Sequence, residues 1–137
     1  MIDIKKMLAD AAIEARKKAY APYSEFRVGA ALLAASGKVY FGCNIENAAY
    51  SPTNCAERTA FFKAVSEGER EFTAIAIAGG KGDLTGEICP PCGVCLQVMT
   101  EFCDPDFIVY LVKDENECEE RKLCELLPYS FSEKRMK

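Results

Sequence analysis

The chain has 137 residues, of which 50% are hydrophobic and 28% are charged. This length suits a single folded domain, and this composition argues against disorder. Its formal net charge of −4 argues against nucleic-acid binding through bulk electrostatics. The absence of histidine excludes an imidazole base, a Ser-His or Cys-His nucleophile pair and a zinc site of the HExxH type.

The first part of the chain predicts a helix followed by a β-hairpin. Residues 3–19 carry apolar side chains at helical spacing, with Asp3 as a candidate N-cap. Strands are predicted at 27–35 and 38–43, because both runs are apolar and Ser36-Gly37 between them is a turn signal. The polar residues that follow, 44–54, predict an irregular segment.

The middle of the chain predicts a second helix and a buried strand. The helix should run over 55–66, with Asn54 as N-cap and Gly68 just past its end. The apolar run 72–78 predicts a strand, and the glycine-rich residues 79–86 predict a loop.

The last third predicts a third helix and another strand. The helix should cover 92–103, with Pro90-Pro91 near its first position, and the strand 107–112. The acidic stretch 114–120 is interpreted as a solvated loop or turn. This order of elements predicts a single α/β domain over 1–137, a three-layer α/β/α sandwich with a mixed sheet of about five strands.

Cysteine is abundant, with eight residues in the chain. The amino terminus lacks the apolar stretch of a signal peptide, and the Cys92-Gly93-Val94-Cys95 spacing suits metal chelation or redox cycling. We therefore expect a reducing, cytoplasmic setting with free thiols. No run of about 18 apolar residues is present, so no membrane span is expected.

Two cysteine segments indicate a catalytic metal site. Cys55 begins the second predicted helix, while Cys92 and Cys95 lie one turn apart at the start of the third. Three thiolates at helix N-termini could hold one Zn²⁺ and leave one coordination position open for a water, which the metal would acidify. Glu57 could carry the proton, and Arg58 could hydrogen-bond the thiolates and offset their negative charge.

The residues around these cysteines extend the pattern. Cys55-Ala56-Glu57 and Pro91-Cys92-Gly93-Val94-Cys95 match the general signature of zinc deaminases. With residues 23–31, 44–50 and 126–131, which follow in the family's order, the chain resembles the short, homotetrameric cytidine deaminases. The resemblance implies a hydrolase that converts cytidine and 2′-deoxycytidine to uridine and 2′-deoxyuridine with release of ammonia, in pyrimidine salvage. It further implies one zinc ion per subunit on Cys55, Cys92 and Cys95, with Glu57 as the acid and base.

The resemblance also implies how the nucleoside is held. Asn44 and Glu46 would bind the ribose 3′-hydroxyl, because an amide and a carboxylate together can donate to it and accept from it. Phe26 would pack against the pyrimidine ring, and Ala56 would offer its backbone N–H to the base carbonyl.

A homotetramer with shared sites is the assembly that the resemblance implies, with no nucleic-acid or membrane partner. Phe131 would reach a neighbouring subunit's site, and Tyr50 would complete a ribose contact across an interface. Two positions depart from the family pattern: Leu96 stands where arginine is usual, and Pro90 where a small polar residue is usual. The leucine puts the local subunit interface in question.

Four other functions remain open from the sequence. One is a deaminase of a cytosine-bearing antibiotic such as blasticidin S, against which Asn44 and Glu46 argue. Another is a nucleic-acid-editing deaminase, which the net charge disfavours. A non-enzymatic zinc module would need a fourth ligand, for which Cys43 or Cys89 could serve. A redox pair at Cys92 and Cys95 is the fourth.

Overall fold

The computed structural model describes residues 3–136, so residues 1, 2 and 137 of the expected domain lie outside it. The described residues form five strands and four α-helices. In order they are α1 (Ile4–Ala15), a 3₁₀ turn (Arg16–Lys18), β1 (Phe26–Ala34), β2 (Val39–Cys43), α2 (Ala56–Ser66), β3 (Phe72–Lys81), α3 (Gly93–Phe102), β4 (Ile108–Val112), β5 (Cys118–Lys122), α4 (Leu123–Leu126) and a 3₁₀ turn (Glu133–Met136). Over this span, no helix is both long enough and apolar enough to cross a membrane.

The strands form one mixed sheet in the order β2-β1-β3-β4-β5. Strands β3 and β4 pair in parallel, and the other neighbours pair antiparallel. Because β2 and β3 both run opposite to β1, their carboxyl ends lie at the same edge of the sheet. Helix α2 follows β2 and helix α3 follows β3, so this topology brings the N-termini of the two helices to one edge.

Helices cover both faces of the sheet. On one face, Leu8 and Ala12 of α1 pack with Ala31 and Ala76 of the sheet. On the other face, α2 and α3 pack over the sheet through the fully buried side chains Phe61 and Met99. The three-layer α/β/α sandwich expected from the order of elements is therefore confirmed.

Helix α2 lies unusually close to strand β2 at Gly42. A Cβ atom at this glycine would lie 2.2 Å from the carbonyl oxygen of Ala56 and 2.7 Å from the backbone nitrogen of Ala60. The absence of a side chain at Gly42 thus lets the first turn of α2 rest directly on the strand. This contact fixes the start of α2 relative to the end of β2.

Two strand predictions were wrong. Strand β3 continues to Lys81 because Gly79 and Gly80 pair with β1, so the predicted loop begins later than residue 79. Above Gly79 the space that a side chain would fill is taken by Cys89, whose Sγ would lie 2.8 Å from an added Cβ. Residues 118–120 were expected in a loop but belong to β5, which pairs with β4 at the edge of the sheet. Its charged side chains lack the apolar pattern from which a strand is predicted.

Helix ends were predicted with mixed success. Asp3 caps α1, as expected, by accepting a hydrogen bond from the backbone nitrogen of Lys6 at 3.2 Å. Gly68 lies just past α2 with a φ of 102°, as expected for a residue that ends a helix. Asn54 is not the N-cap of α2, because Cys55 holds that position. Pro91 likewise precedes the N-cap of α3, which is Cys92.

Candidate metal centre

Both helices that meet at the edge of the sheet begin at a cysteine. Cys55 and Cys92 have extended backbone conformations, with ψ angles of 156° and 167°, and the helix starts at the next residue. Neither thiol makes a side-chain capping bond, so both sulfurs remain free for another ligand. Cys95 lies in the first turn of α3 and is buried. Three thiols therefore converge where two positive helix dipole ends favour thiolate.

The geometry of the three sulfurs fits a zinc ion. The Sγ atoms of Cys55, Cys92 and Cys95 all lie within 4.8 Å of one another. The Sγ atoms of Cys55 and Cys92 are 3.8 Å apart. Two sulfurs that share a tetrahedral zinc at about 2.3 Å lie about 3.8 Å apart, so this donor set matches zinc in both chemistry and spacing.

The other two cysteines considered as ligands are engaged elsewhere. The Sγ of Cys43 donates to the carbonyl oxygen of Lys18 at 3.4 Å. Cys89 packs on Gly79, and burial raises the pKa of its thiol to about 11. Within residues 3–136 the cluster thus comprises three ligand atoms, which leaves one tetrahedral position for a small molecule rather than forming a four-ligand structural knot.

Arg58 lies against the thiol cluster. Its Nη2 donates to the Sγ of Cys55 at 3.3 Å, and its buried Nε has no hydrogen-bond partner among the described residues. The hydrogen bond from the Cys95 thiol, helped by Arg58, lowers the pKa of Cys55 to about 5. In return, the bond to Cys55 raises the pKa of the Arg58 guanidinium. The interaction with Cys55 raises the pKa of the Cys95 thiol in turn.

Glu57 is the buried acid of the site. It lies in the first turn of α2, and only 4% of the residue is exposed. Burial raises the pKa of its carboxyl group to about 7, and the negative charge of Cys55 adds to that effect. A carboxyl group so deeply buried beside a thiol cluster is costly to ionise, which is uncommon outside functional sites.

The side chain of Asn44 extends the β1–β2 ladder beyond the end of β2. Its Oδ1 accepts from the backbone nitrogen of Val28 at 2.9 Å, and its Nδ2 donates to the carbonyl oxygen of Phe26 at 2.8 Å. The backbone carbonyl of Asn44 accepts from Tyr20 instead. Because an amide has two N–H groups and two acceptor lone pairs, one of each remains for a ligand. The amide thereby ties Phe26 and Asn44 into one unit.

Glu46 is held by the loop that precedes β1. Its Oε1 accepts from the backbone nitrogens of Tyr23 at 2.9 Å and Ser24 at 3.1 Å, and its Oε2 accepts from the Ser24 hydroxyl. These bonds, that of the Ser24 hydroxyl above all, lower the pKa of Glu46 and fix its direction. Beside the carboxylate lies a depression of about 380 Å³, lined by Tyr23, Ser24, Glu46, Asn47, Tyr50 and Thr53.

The remaining candidate residues occupy different places. Phe26 is partly exposed at the start of β1, and Ala56 is buried as the first residue of α2, where a backbone N–H has no intrahelical acceptor. Tyr50 is 75% exposed and has a φ of 63°. Phe131 is 59% exposed, and its carbonyl oxygen accepts from the side chain of Gln97 at 2.7 Å, which holds the tail against α3.

Leu96 and three other residues have roles that the sequence reasoning did not foresee. Leu96 of α3 is buried in the core that α2 and α3 form with the sheet, so an apolar side chain suits its surroundings. Three residues position a candidate site residue. Gly42 lets the first turn of α2 pack closely on β2, and the Ser24 hydroxyl donates a hydrogen bond to the carboxylate of Glu46. The Thr59 hydroxyl contacts the carbonyl oxygen of Cys55. The only signal in the sequence was that Thr59 lies four residues after Cys55, which allows a bond within the helix.

Known proteins similar to this chain share one activity. Residues 3–111 match the family described as the cytidine and deoxycytidylate deaminase zinc-binding region. A cytidine deaminase of Sporosarcina psychrophila is 53% identical over 131 residues, which make up 96% of this chain and 93% of that protein. A cytidine deaminase of Halalkalibacterium halodurans is 52% identical over 128 residues, covering 93% of this chain and 94% of that protein. The crystal structure of a cytidine deaminase from Burkholderia pseudomallei has a TM-score of 0.84 and 48% identity, covering 91% of this chain and 97% of the other.

Proposed function

Because this chain belongs to the cytidine and deoxycytidylate deaminase family, we propose that it is a hydrolase that converts cytidine to uridine and ammonia in pyrimidine salvage. The observation that carries the proposal is a three-sulfur cluster beside a buried carboxyl group, at the start of two helices. We include 2′-deoxycytidine as a substrate, because the proposed sugar contacts address the 3′-hydroxyl that both nucleosides have. The whole chain would act as one deaminase domain.

In this proposal Cys55, Cys92 and Cys95 hold the zinc ion of the family. When bound there, zinc makes a water molecule nucleophilic near neutral pH. Arg58 keeps the cluster from becoming too negative, since three thiolates around Zn²⁺ sum to a charge of −1. The bond from its Nη2 to the Cys55 sulfur supports this role.

Glu57 moves the protons of the reaction. Its carboxylate accepts a proton from the attacking water and delivers it to ring nitrogen N3, while the water oxygen bonds to ring carbon C4. It then transfers a second proton from the added hydroxyl to the exocyclic amine, the bond from C4 to that amine breaks, and ammonia leaves. The burial of Glu57 supports this role because bulk water is kept from the carboxylate.

Four residues would bind the nucleoside. Phe26 packs against the pyrimidine, and the backbone N–H of Ala56 donates to its carbonyl. Asn44 and Glu46 take the 3′-hydroxyl. The fixed orientation of both polar side chains supports this assignment, since a preordered site loses little entropy when the sugar binds.

The assembly that we propose is a homotetramer in which neighbouring subunits share sites. Three large side chains with apolar rings are exposed in the single chain: Tyr50 at 75%, Phe131 at 59% and Tyr129 at 97%. Exposed apolar groups of this size are typical of contact surfaces between proteins. Phe131 and Tyr50 would complete a partner's site. The eight free thiols support the cytoplasm as the location.

The experiment that tests the proposal follows the ultraviolet absorbance of cytidine with the purified protein, before and after zinc removal with a chelator. We expect turnover, ammonia in equal amount, one zinc ion per chain, and loss of activity on chelation that added zinc restores. Blasticidin S, tested in parallel, should release far less ammonia. No ammonia from cytidine, or undiminished turnover by the zinc-free protein, would refute the proposal.

A further inference from the structure

The hydroxyl group of Thr59 joins two parts of the site that lie far apart in the sequence. Its Oγ1 lies 3.1 Å from the carbonyl oxygen of Cys55 and 3.1 Å from that of Cys43. It also accepts a hydrogen bond from the Nδ2 of Asn54 at 3.2 Å. One hydroxyl thus contacts the residue that starts the metal-binding helix and the residue that precedes Asn44.

The hydrogen bond from Thr59 satisfies the carbonyl group of Cys43, which accepts no hydrogen bond from β1. The backbone nitrogen of Asn44 donates to Val28, so in the antiparallel β1–β2 pair the neighbouring Cys43 carbonyl faces away from β1. Strand β2 is at the edge of the sheet, and the carbonyl would otherwise lack a strand partner. The Cys55 carbonyl, by contrast, already accepts from the backbone nitrogen of Thr59 at 3.1 Å. The single hydroxyl proton therefore stabilises the structure most when it is donated to Cys43.

Backbone contacts show that this junction links the sugar-binding segment, residues 44–46, to α2. The backbone nitrogens of Ile45 and Asn54 each donate to the other residue's carbonyl oxygen, at 3.0 Å and 2.9 Å. The close approach of Gly42 to Ala56 also joins the end of β2 to the start of α2. Beside these backbone contacts, the hydroxyl of Thr59 adds a side-chain hydrogen bond between α2 and the end of β2.

We propose that Thr59 is a positioning residue that sets the distance between the sugar-binding segment and the N-terminus of α2, which carries Cys55 and Glu57. This inference rests on the proposed deamination of cytidine. A nucleoside held at both its sugar and its base must match that distance, whereas one without the 3′-hydroxyl lacks the proposed contact with Asn44 and Glu46. Loss of the Thr59 hydroxyl therefore affects the two kinds of substrate unequally.

The test compares cytidine with 3′-deoxycytidine in wild type and in Thr59→Val, which keeps the branched shape and removes the hydroxyl. We expect kcat/KM for cytidine to fall about five- to tenfold, as for the loss of one hydrogen bond, and that for 3′-deoxycytidine by less than about twofold. If 3′-deoxycytidine turns over too slowly, its inhibition constant against cytidine replaces kcat/KM. Zinc content should stay at one ion per chain.

Two further variants complete the design. Thr59→Ser keeps a hydroxyl and should restore the wild-type ratio between the two substrates. Ser66→Ala is the matched control, because it removes a helix hydroxyl bonded to the carbonyl of Lys63 at the far end of α2 and should change neither substrate. Equal losses for both substrates, loss of zinc, or failure of serine to restore the ratio would each overturn the role of Thr59.

Asn54→Ala provides the same test if the valine variant does not fold. It removes the bond that orients the hydroxyl from the opposite side, so the loss should again be greater for cytidine, though smaller, about two- to threefold. An equal loss for both substrates in this variant would also contradict the inference. Failure of the wild-type protein to release ammonia from cytidine would instead refute the proposed function, so the two failures are distinguishable.

Discussion

At the residue scale, Asn44 illustrates how a side chain that we propose to bind substrate can also stabilise the fold. Its amide bonds to the backbone of Phe26 and Val28, and so replaces backbone pairing that β2 no longer supplies. The ring that we propose to pack on the base and the amide that we propose to bind the sugar are therefore tied together by two hydrogen bonds. A substitution at Asn44 would weaken both the proposed substrate binding and the pairing at the end of β2, so the stability of the variant must be measured alongside its activity.

Glu57 gives the most direct prediction at this scale. Glu57→Gln keeps the shape of the side chain but cannot accept a proton, so we expect turnover of cytidine to fall by about 10²- to 10⁴-fold. Zinc content and fold should be retained because no sulfur ligand is changed. Glu101→Gln, which alters an exposed carboxylate on α3, serves as the control and should be fully active. Retained turnover in Glu57→Gln would remove this residue from the mechanism.

Gly42 predicts a stability effect. In Gly42→Ala the added methyl group would lie 2.2 Å from the Ala56 carbonyl oxygen, so α2 must move away from β2. We expect the free energy of unfolding to fall by about 1–3 kcal/mol, as for an overpacked core, measured by urea denaturation. Gly80→Ala is the matched control, since its Cβ would meet only the end of the Arg16 side chain at 3.9 Å. Similar losses in both variants would contradict the steric argument.

At the scale of elements, the far end of α2 is fastened to the β1–β2 hairpin by charge. Glu67, just past α2, pairs with Lys38 of the hairpin at 2.8 Å and with Lys63 of α2 at 2.9 Å. The hydrogen bond from Lys38, followed by that from Lys63, lowers the pKa of Glu67 to about 2. Because the pKa is lower in the folded state, the stabilisation is complete above about pH 4.5 and is lost as the pH falls towards 2.

The lowered pKa of Glu67 predicts how the stability of Glu67→Gln depends on pH. The variant should be less stable than wild type near pH 7, and the difference should vanish as the pH approaches 2. Since the pair is exposed, high salt should shrink the difference at every pH. Urea midpoints measured across this pH range at low and high salt would check it, with Glu71→Gln as an exposed carboxylate control. A difference that persists unchanged at pH 2 would be inconsistent with the ion pairs.

The elements also show what the sequence could and could not reveal. The amphipathic pattern of α1 and the apolar run of β4 are local signals, and both elements were predicted, although α1 ends at Ala15 rather than at the predicted residue 19. Strand β5 carries four charged residues in a row, so its pairing depends on a neighbour that no local pattern indicates. The convergence of Cys55 with Cys92 followed from recognising a motif, whereas the bond from Thr59 to Cys43 spans 16 residues and arises only when β2 and α2 pack together.

At the scale of the whole molecule, the proposed sharing of sites between subunits predicts that activity is recovered when two defective chains are combined. Glu57→Gln lacks the proton carrier in its own site, and Phe131→Ala lacks the ring that we propose to enter a neighbour's site. Refolding the two variants together should give activity above the sum of the separate proteins, because about one site in four then contains both intact residues. Two Glu57→Gln preparations mixed in the same way are the control. Activity no greater than the sum would show that each subunit works alone.

Strand β5 forms a charged border of the sheet that disfavours the addition of a further strand. A chain that tried to lengthen the sheet there would bring its own backbone against Glu119, Glu120, Arg121 and Lys122. In natural proteins, charged side chains on an edge strand prevent it from pairing with a strand of another molecule. We therefore expect no dye-binding fibrils to grow from this border when the purified protein is shaken for long periods.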